Sequence, residues 1–142
     1  MQHYYSSENE IEYLFEKFSD RTLPKEQWTH EAHLTVALYY LFHHSREEAA
    51  CFLRSGIITY NHSLGNQNTS SNGYHETITL FWIYVIDNFV QQHPALSLLE
   101  LCNLFLQSPF AARDYPFQFY SKELLMSTAA RGYWTEPDKQ KL

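Results

Sequence analysis

Two short stretches of the chain place histidine and glutamate beside strongly apolar segments. The first is WTHEAHL, residues 28–34, and the second is GYHET, residues 73–77. Polar groups at the mouth of an apolar helix are costly to bury unless a partner or a ligand satisfies them. Imidazole and carboxylate groups are also the groups that bind metal ions and transfer protons. The two stretches therefore indicate a metal site or an acid–base pocket.

The spacing of the first stretch puts two imidazoles on one helix face. Positions three apart on an α-helix differ in direction by about 60°. His30 and His33 therefore share a face, which continues into Ala37, where a small side chain leaves room for a ligand. Such a pair can hold one metal ion if another element supplies a third ligand. We expect that ligand to be His75, with Glu76 as the alternative, and the cofactor to be a divalent ion such as Zn, Fe, Ni or Mn.

The same groups could work without a metal. His33 or His75, oriented by Glu76, could act as a general base, and we expect His75 and Glu76 to be the catalytic residues. A purely structural interpretation is also open. Histidine and threonine often cap helices, and the helix dipole by itself favours Glu31 and Glu76 in a first turn.

Further side chains have the chemistry to bind a ligand. These are Trp28, Asn68, Tyr74, Arg113 and Arg131. The two aromatic residues would form walls of the pocket, and the asparagine belongs to a polar loop whose amides could bind a polar substrate. Either arginine could bind a carboxylate, although a surface ion pair explains each of them as well.

Several familiar sites are excluded by spacing. HEAH, residues 30–33, is one residue short of HExxH, and no Glu-x-x-His occurs in the chain. Both the common zinc protease helix and the di-iron bundle motif are therefore missing. Cys51 and Cys102 stand alone, which excludes a cysteine-ligated zinc site, and the four glycines form neither a P-loop nor a GxGxxG turn.

The apolar residues repeat with a helical period through nearly the whole chain. A first helix is predicted after Ser7, and a second one from a Thr29 cap to about His44. A third helix begins with a capping box formed by Ser45 and Glu48. The predicted elements that follow are a polar loop (61–73), a central helix apolar on almost all faces (about 74–92), a fifth helix (97–106), a sixth helix (121–130) and a polar tail (132–142).

The composition fits one folded domain. A chain of 142 residues with 44% hydrophobic residues can bury roughly two-thirds of its unfolded surface. Strand signals are few and two-residue hairpin turns are absent. The sequence therefore predicts a single all-α domain, a bundle of about five to six helices around the central apolar helix.

Charge and hydropathy bound the partners. The net charge is -6 and no basic stripe appears, so nucleic acid is not an expected partner. The N-terminal segment MQHYYSSENE lacks the pattern of a signal peptide, and the most apolar stretch is shorter than the about 20 residues that span a bilayer. With only two cysteines, the expectation is a cytoplasmic protein without a membrane partner.

The combination of motifs resembles a family of small uncharacterised bacterial proteins. The motifs are LPKxxWTHxAHLxVALxYL, NT…GYHET and YPFxFYSxELLxSxxARxxWxEPD, and they extend from Leu23 to Asp138. The resemblance supplies no catalytic assignment. It implies that residues 28–34, residues 73–77 and the tail with Arg131 and Trp134 belong to one unit.

Three functional hypotheses remain from the sequence. The first is a small enzyme of the hydrolase or lyase type that uses the histidines as metal ligands or acid–base groups on a small polar substrate. The second is a module that binds a small molecule without catalysis. The third is an interaction protein, such as a homodimer, whose interface would use surplus aromatic residues: Tyr4, Tyr5, Tyr39 and Tyr40.

Overall fold

The structure is a computed structural model that describes residues 4–142, so Met1 to His3, at the start of the N-terminal segment, lie outside it. Every regular element in that range is helical, and the predicted all-α single domain is confirmed. The α-helices are α1 (Glu8–Ser19), α2 (His30–His43), α3 (Arg46–Ser63), α4 (Glu76–Gln92), α5 (Leu98–Gln107), α6 (Lys122–Leu125) and α7 (Thr128–Gly132). Three short 3-10 helices lie in the connections: Lys25–Gln27, Pro109–Ala111 and Tyr115–Gln118.

Two helices occupy the middle of the bundle. α4 packs against α2 and α3, and α2 also contacts α1 and α5. The predicted central helix is therefore central, but it shares that position with α2, which buries Leu34, Val36 and Leu38. Gly56 allows α1 to approach α3 closely, because a Cβ atom there would lie only 2.9 Å from the ring of Phe18.

Side-chain caps determine where several helices begin. The Thr29 hydroxyl accepts a hydrogen bond from the Ala32 amide at 3.1 Å, which confirms the predicted start of α2. The predicted capping box of α3 is also present, with Ser45 accepting from the Glu48 amide at 3.2 Å. Each such cap satisfies an amide that the helix itself leaves without a partner.

Three predicted boundaries differ from the structure. The first three residues of the predicted polar loop (61–73) belong to α3, which ends at Ser63. Local hydrogen bonds explain the other two differences. The central helix begins at Glu76, not near residue 74, because the His75 side chain caps it by accepting from the Ile78 amide at 3.1 Å. Residues 121–130 form two short helices, not one. Ser127 interrupts them and caps α7, since its hydroxyl accepts from the Ala130 amide at 3.2 Å.

The polar tail is attached to the bundle along much of its length. The buried Thr77 hydroxyl donates to the Tyr133 carbonyl at 2.9 Å and accepts from the Thr135 amide at 3.2 Å. Further along, the Asp138 carboxylate accepts from both the amide and the hydroxyl of Ser121. The start of α4 is therefore covered by the end of the chain. Across residues 4–142, no helix combines the length and the apolar character needed to cross a membrane.

Candidate functional site

A cavity of about 270 Å³ lies where the first turns of α2 and α4 meet α3. From α2 it is lined by His30, His33 and Ala37, so the face predicted from their spacing does border a cavity. Leu53 and Ile57 of α3 form an apolar wall. The opposite side comes from the first two turns of α4, with Ile78, Thr79 and Trp82, and Arg113 reaches it from the segment after α5.

His33 lies one turn into α2, and one of its ring nitrogens has no hydrogen-bond partner among residues 4–142. Its Nδ1 is 2.7 Å from the Thr29 carbonyl, which can only accept, so Nδ1 carries the proton. The other nitrogen, Nε2, then has an unused lone pair. Burial lowers the pKa of His33 from 6.5 to about 4; the Thr29 carbonyl opposes this shift, and the charges of His30 and Arg113 add to it. The imidazole is therefore neutral at physiological pH.

His30 has the opposite tautomer, and it too keeps one acceptor nitrogen. Its Nε2 is 2.8 Å from the Ala111 carbonyl, so Nε2 is the donor and Nδ1 has the free lone pair. This bond also ties the start of α2 to the segment that contains Arg113. Two imidazoles that line one cavity thus each keep an acceptor nitrogen after the backbone has used their N–H groups.

Aromatic rings hold both histidines in place. The Trp28 ring lies against the His33 ring, with centroids 3.8 Å apart, and stacks on Phe18 at 4.5 Å on its other side. Trp82 meets the His30 ring edge-on at 5.5 Å. Because these rings are fixed by their neighbours, the two imidazoles are held in defined orientations before any ligand arrives.

Arg113 is the charged residue of the cavity wall. It is exposed, and among residues 4–142 neither an ion pair nor a hydrogen bond engages its guanidinium. Of the two arginines expected to bind a carboxylate, only Arg113 borders this cavity. Arg131 instead donates to the Gly73 carbonyl at 3.0 Å and helps to hold the chain that leads into α4.

His75 lies away from this cavity and has no free nitrogen. Its Nδ1 accepts from the Ile78 amide, and its Nε2 donates to the Leu125 carbonyl at 2.6 Å. Burial lowers its pKa, an effect that the hydrogen bond to Leu125 opposes and the nearby Arg131 charge reinforces. The structure therefore does not bring His75 together with His30 and His33. The His75 side chain instead joins the start of α4 to the end of α6.

Glu76 is engaged in an ion pair. Its carboxylate accepts from Arg54 of α3 at 2.9 and 2.6 Å and from the Tyr74 hydroxyl at 2.6 Å. Burial alone would raise the pKa of Glu76, but the hydrogen bonds from Arg54 and Tyr74 outweigh it, so the pKa lies below its usual value. The proposed base Glu76 and the proposed aromatic wall Tyr74 thus form a link between α3 and α4.

Asn68 organises the polar loop. Its side-chain oxygen accepts from the Tyr74 amide at 3.0 Å and from the Asn61 side chain at 3.1 Å, while its amide group donates to the Ile58 carbonyl at 3.2 Å. Gly73 has a φ of +84°, and a Cβ there would lie 2.7 Å from the Asn68 oxygen. The loop therefore folds on itself, and the cavity that contains His30 and His33 is lined without it.

Larger depressions exist elsewhere on the surface. One of about 600 Å³ runs along α5 beside Tyr5 and Asn103, and one of about 640 Å³ lies between α1 and the start of α2. Neither contains a histidine. We regard the smaller cavity as the candidate site because it alone among these three joins apolar walls to two imidazoles and a guanidinium.

The residues do not assemble the predicted three-histidine metal centre. Within residues 4–142, no three side chains of His, Cys, Asp or Glu are grouped so that they could hold one metal ion. His30 and His33 can each offer one nitrogen, but His75 would have to release two hydrogen bonds to join them. Metal binding stays a prediction from the sequence, and no chemical step is derived through a metal below.

Much of the apolar lining of the cavity was missed by reasoning from the sequence. Trp82, Leu53 and Ile57 line the cavity, as do Ile78 and Thr79, but none of them was among the expected site residues. The available signal for Trp82 was its position four residues after Ile78, which puts both on one face of α4. For α3 no such signal existed, since packing between helices decides which apolar residues face a cavity.

Comparisons with family models, with curated proteins and with solved structures gave no match.

Proposed function

We propose that this protein binds a small organic molecule in the cavity between α2, α3 and α4, with His30 and His33 accepting hydrogen bonds from it. The observation that carries the proposal is the pair of free acceptor nitrogens. Both N–H groups donate to backbone carbonyls, of Ala111 and Thr29, so both lone pairs are available to a ligand. A ligand with a hydroxyl or neutral N–H group would complete these hydrogen bonds.

The walls determine the rest of the ligand. Trp28, Trp82 and the aliphatic residues of α3 offer apolar contact, which favours an apolar body. Ligand sites usually have volumes of about 300–1,000 Å³, so a cavity of about 270 Å³ suits a molecule with a single ring or a short chain. Phenol has both features in their simplest form.

The low pKa of His33 favours binding over general-base catalysis. A general base works best when its pKa lies near the working pH, and the pKa of His33 is about 4. The same low pKa is an advantage for binding, because the ring stays a neutral acceptor. A hydrolase or lyase activity, with or without a metal, remains a prediction from the sequence.

A comparison of phenol with anisole tests the proposal. Anisole has the same ring but cannot donate a hydrogen bond, so we expect it to bind about tenfold more weakly than phenol, as loss of about 1.4 kcal/mol would give. Trp28 and Trp82 line the cavity, so a titration followed by tryptophan fluorescence, checked by calorimetry, measures both affinities.

Two variants locate the binding. Ala37→Leu extends a side chain into the cavity and should abolish phenol binding, whereas Ala50→Leu makes the same change on α3 away from the cavity and should leave it unchanged. Equal affinity for phenol and anisole, or phenol binding that survives Ala37→Leu, would contradict the proposal. Circular dichroism of both variants verifies that each one is folded.

A further inference from the structure

We infer that the ligand of this cavity is an anion, a small hydroxy-substituted carboxylate whose carboxylate is bound by Arg113 while its hydroxyl donates to the imidazoles. This inference rests on the proposed function and adds the charge class of the ligand. It follows from the polar groups of the cavity, which include two hydrogen-bond acceptors, the imidazoles of His30 and His33, and one cation, the Arg113 guanidinium.

The cavity wall contains a positive charge without a negative one. Arg113 lines it, and no carboxylate of the described residues does. The nearest acids by sequence are Glu31, Glu76 and Asp114; Glu76 is already paired with Arg54, and none of the three reaches the wall. A bound carboxylate would supply the partner that the Arg113 guanidinium lacks among residues 4–142, and such a hydrogen bond is charge-assisted.

The backbone adds to the same field. Thr29, the N-cap of α2, and Ile78, in the first turn of α4, both border the cavity. The positive ends of two helix dipoles are therefore directed to this region, and each favours an anion over a cation. Burial is the main reason why the pKa of His33 is low, and the nearby positive charge of Arg113 lowers it further.

The two imidazoles define the other end of the ligand. With their N–H groups bonded to Thr29 and Ala111, His30 and His33 can accept hydrogen bonds but cannot donate them while neutral. A carboxylate placed between them would find no donor there. The carboxylate therefore belongs at Arg113 and a hydroxyl at the imidazoles, and a fully apolar molecule would leave both ends of the cavity without a partner.

Calorimetric titration with three matched probes tests this inference. The probes are 4-hydroxybenzoate, phenol and 4-hydroxybenzylamine, which share a phenol ring and differ in charge. At low ionic strength and neutral pH, we expect 4-hydroxybenzoate to bind about tenfold more tightly than phenol, and the amine to bind more weakly than phenol.

Variants of Arg113 assign the preference to that side chain. Arg113→Gln should bring the ratio of 4-hydroxybenzoate affinity to phenol affinity from about ten to about one, and Arg113→Lys should retain part of that ratio. Arg113 is exposed, so neither change is expected to affect folding. Lys122→Gln removes one positive charge from α6 and serves as the control, since Lys122 does not line the cavity.

The outcomes separate this inference from the proposed function. If phenol binds but 4-hydroxybenzoate has no advantage, or if the advantage persists in Arg113→Gln, the anionic ligand is excluded and the pocket remains a binding site for neutral donors. If none of the three probes binds the wild-type protein, the inference and the proposed function are both contradicted.

Discussion

His33 and His75 show how two similar sequence positions acquire different roles. Each stands near the start of an apolar helix, and each has a pKa below the usual value because of burial. His33 donates from one nitrogen to the Thr29 carbonyl, and the other has no hydrogen-bond partner among residues 4–142. His75 uses both nitrogens, on Ile78 and Leu125, and has nothing left for a ligand. Whether a histidine can bind a ligand therefore depends on the hydrogen bonds that its ring nitrogens already make within the protein.

The lowered pKa values predict that acid destabilises the fold before the carboxylates titrate. Unfolded, His33 takes up a proton near pH 6.5, but folded it does so only near pH 4, so between these values the unfolded state binds more protons. The free energy of unfolding should therefore fall as pH falls from 7 to 4.5. The contribution of His33 should be on the order of 2 kcal/mol, less than a fully buried imidazole would give, because its side chain is partly exposed. His75 adds a change in the same direction.

Urea unfolding at pH 7 and pH 4.5 measures this change. The charged or titratable groups that act on these imidazoles are His30 and Arg113 for His33, and Arg131 for His75. His33→Gln should flatten the pH dependence markedly, whereas His62→Gln, at an exposed position, should not. A pH dependence that His33→Gln leaves intact would show that His33 titrates normally in the folded protein.

At the scale of the elements, the start of α4 is held by anchors that lie far from it in sequence. Arg54 of α3 binds Glu76, Arg131 of α7 binds the Gly73 carbonyl, and His75 reaches the Leu125 carbonyl. These contacts fix the first turn of α4, which in turn supplies Ile78 and Thr79 to the cavity. The residues first considered catalytic thus position the wall of the site.

This arrangement predicts a graded series at position 75. His75→Ala loses the cap and leaves the Leu125 carbonyl without its donor, so we expect a loss of about 2–3 kcal/mol of stability. His75→Asn keeps a capping oxygen but is too short to reach Leu125, and should lose about 1 kcal/mol less. Urea unfolding of the three proteins gives the values.

A cap of another helix provides the control for this series. Ser45→Ala removes the exposed cap of α3 and should cost about 1 kcal/mol. If His75→Ala costs no more than Ser45→Ala, the bond to Leu125 contributes nothing and the anchoring role of His75 is wrong.

At the scale of the whole molecule, the sequence was sufficient to predict the features that depend on residues close together along the chain. Helical periodicity and the capping residues Thr29 and Ser45 were sufficient for the fold class and for the starts of α2 and α3. Within the site, the common face of His30, His33 and Ala37 followed from helix geometry and does line the cavity.

What the sequence could not reveal are contacts between residues distant along the chain. Glu76 pairs with Arg54 from another helix, and the tail returns from residue 133 to cover Thr77. Nothing in the local pattern distinguishes a glutamate that is free from one that is already paired. For the same reason, Asn68 and Arg131 could not be recognised as parts of the framework around α4.

The central claim is that His30 and His33 present free acceptor nitrogens to a ligand, and nitrogen-15 NMR of the two imidazoles tests it most directly. Long-range proton–nitrogen spectra at neutral pH should show His33 protonated on Nδ1 and His30 protonated on Nε2. Adding phenol should move the nitrogen-15 chemical shifts of His33 Nε2 and His30 Nδ1 toward the values of hydrogen-bonded nitrogens. Ala37→Leu should prevent this change. Reversed tautomers, or free nitrogens that do not respond to bound phenol, would contradict the account.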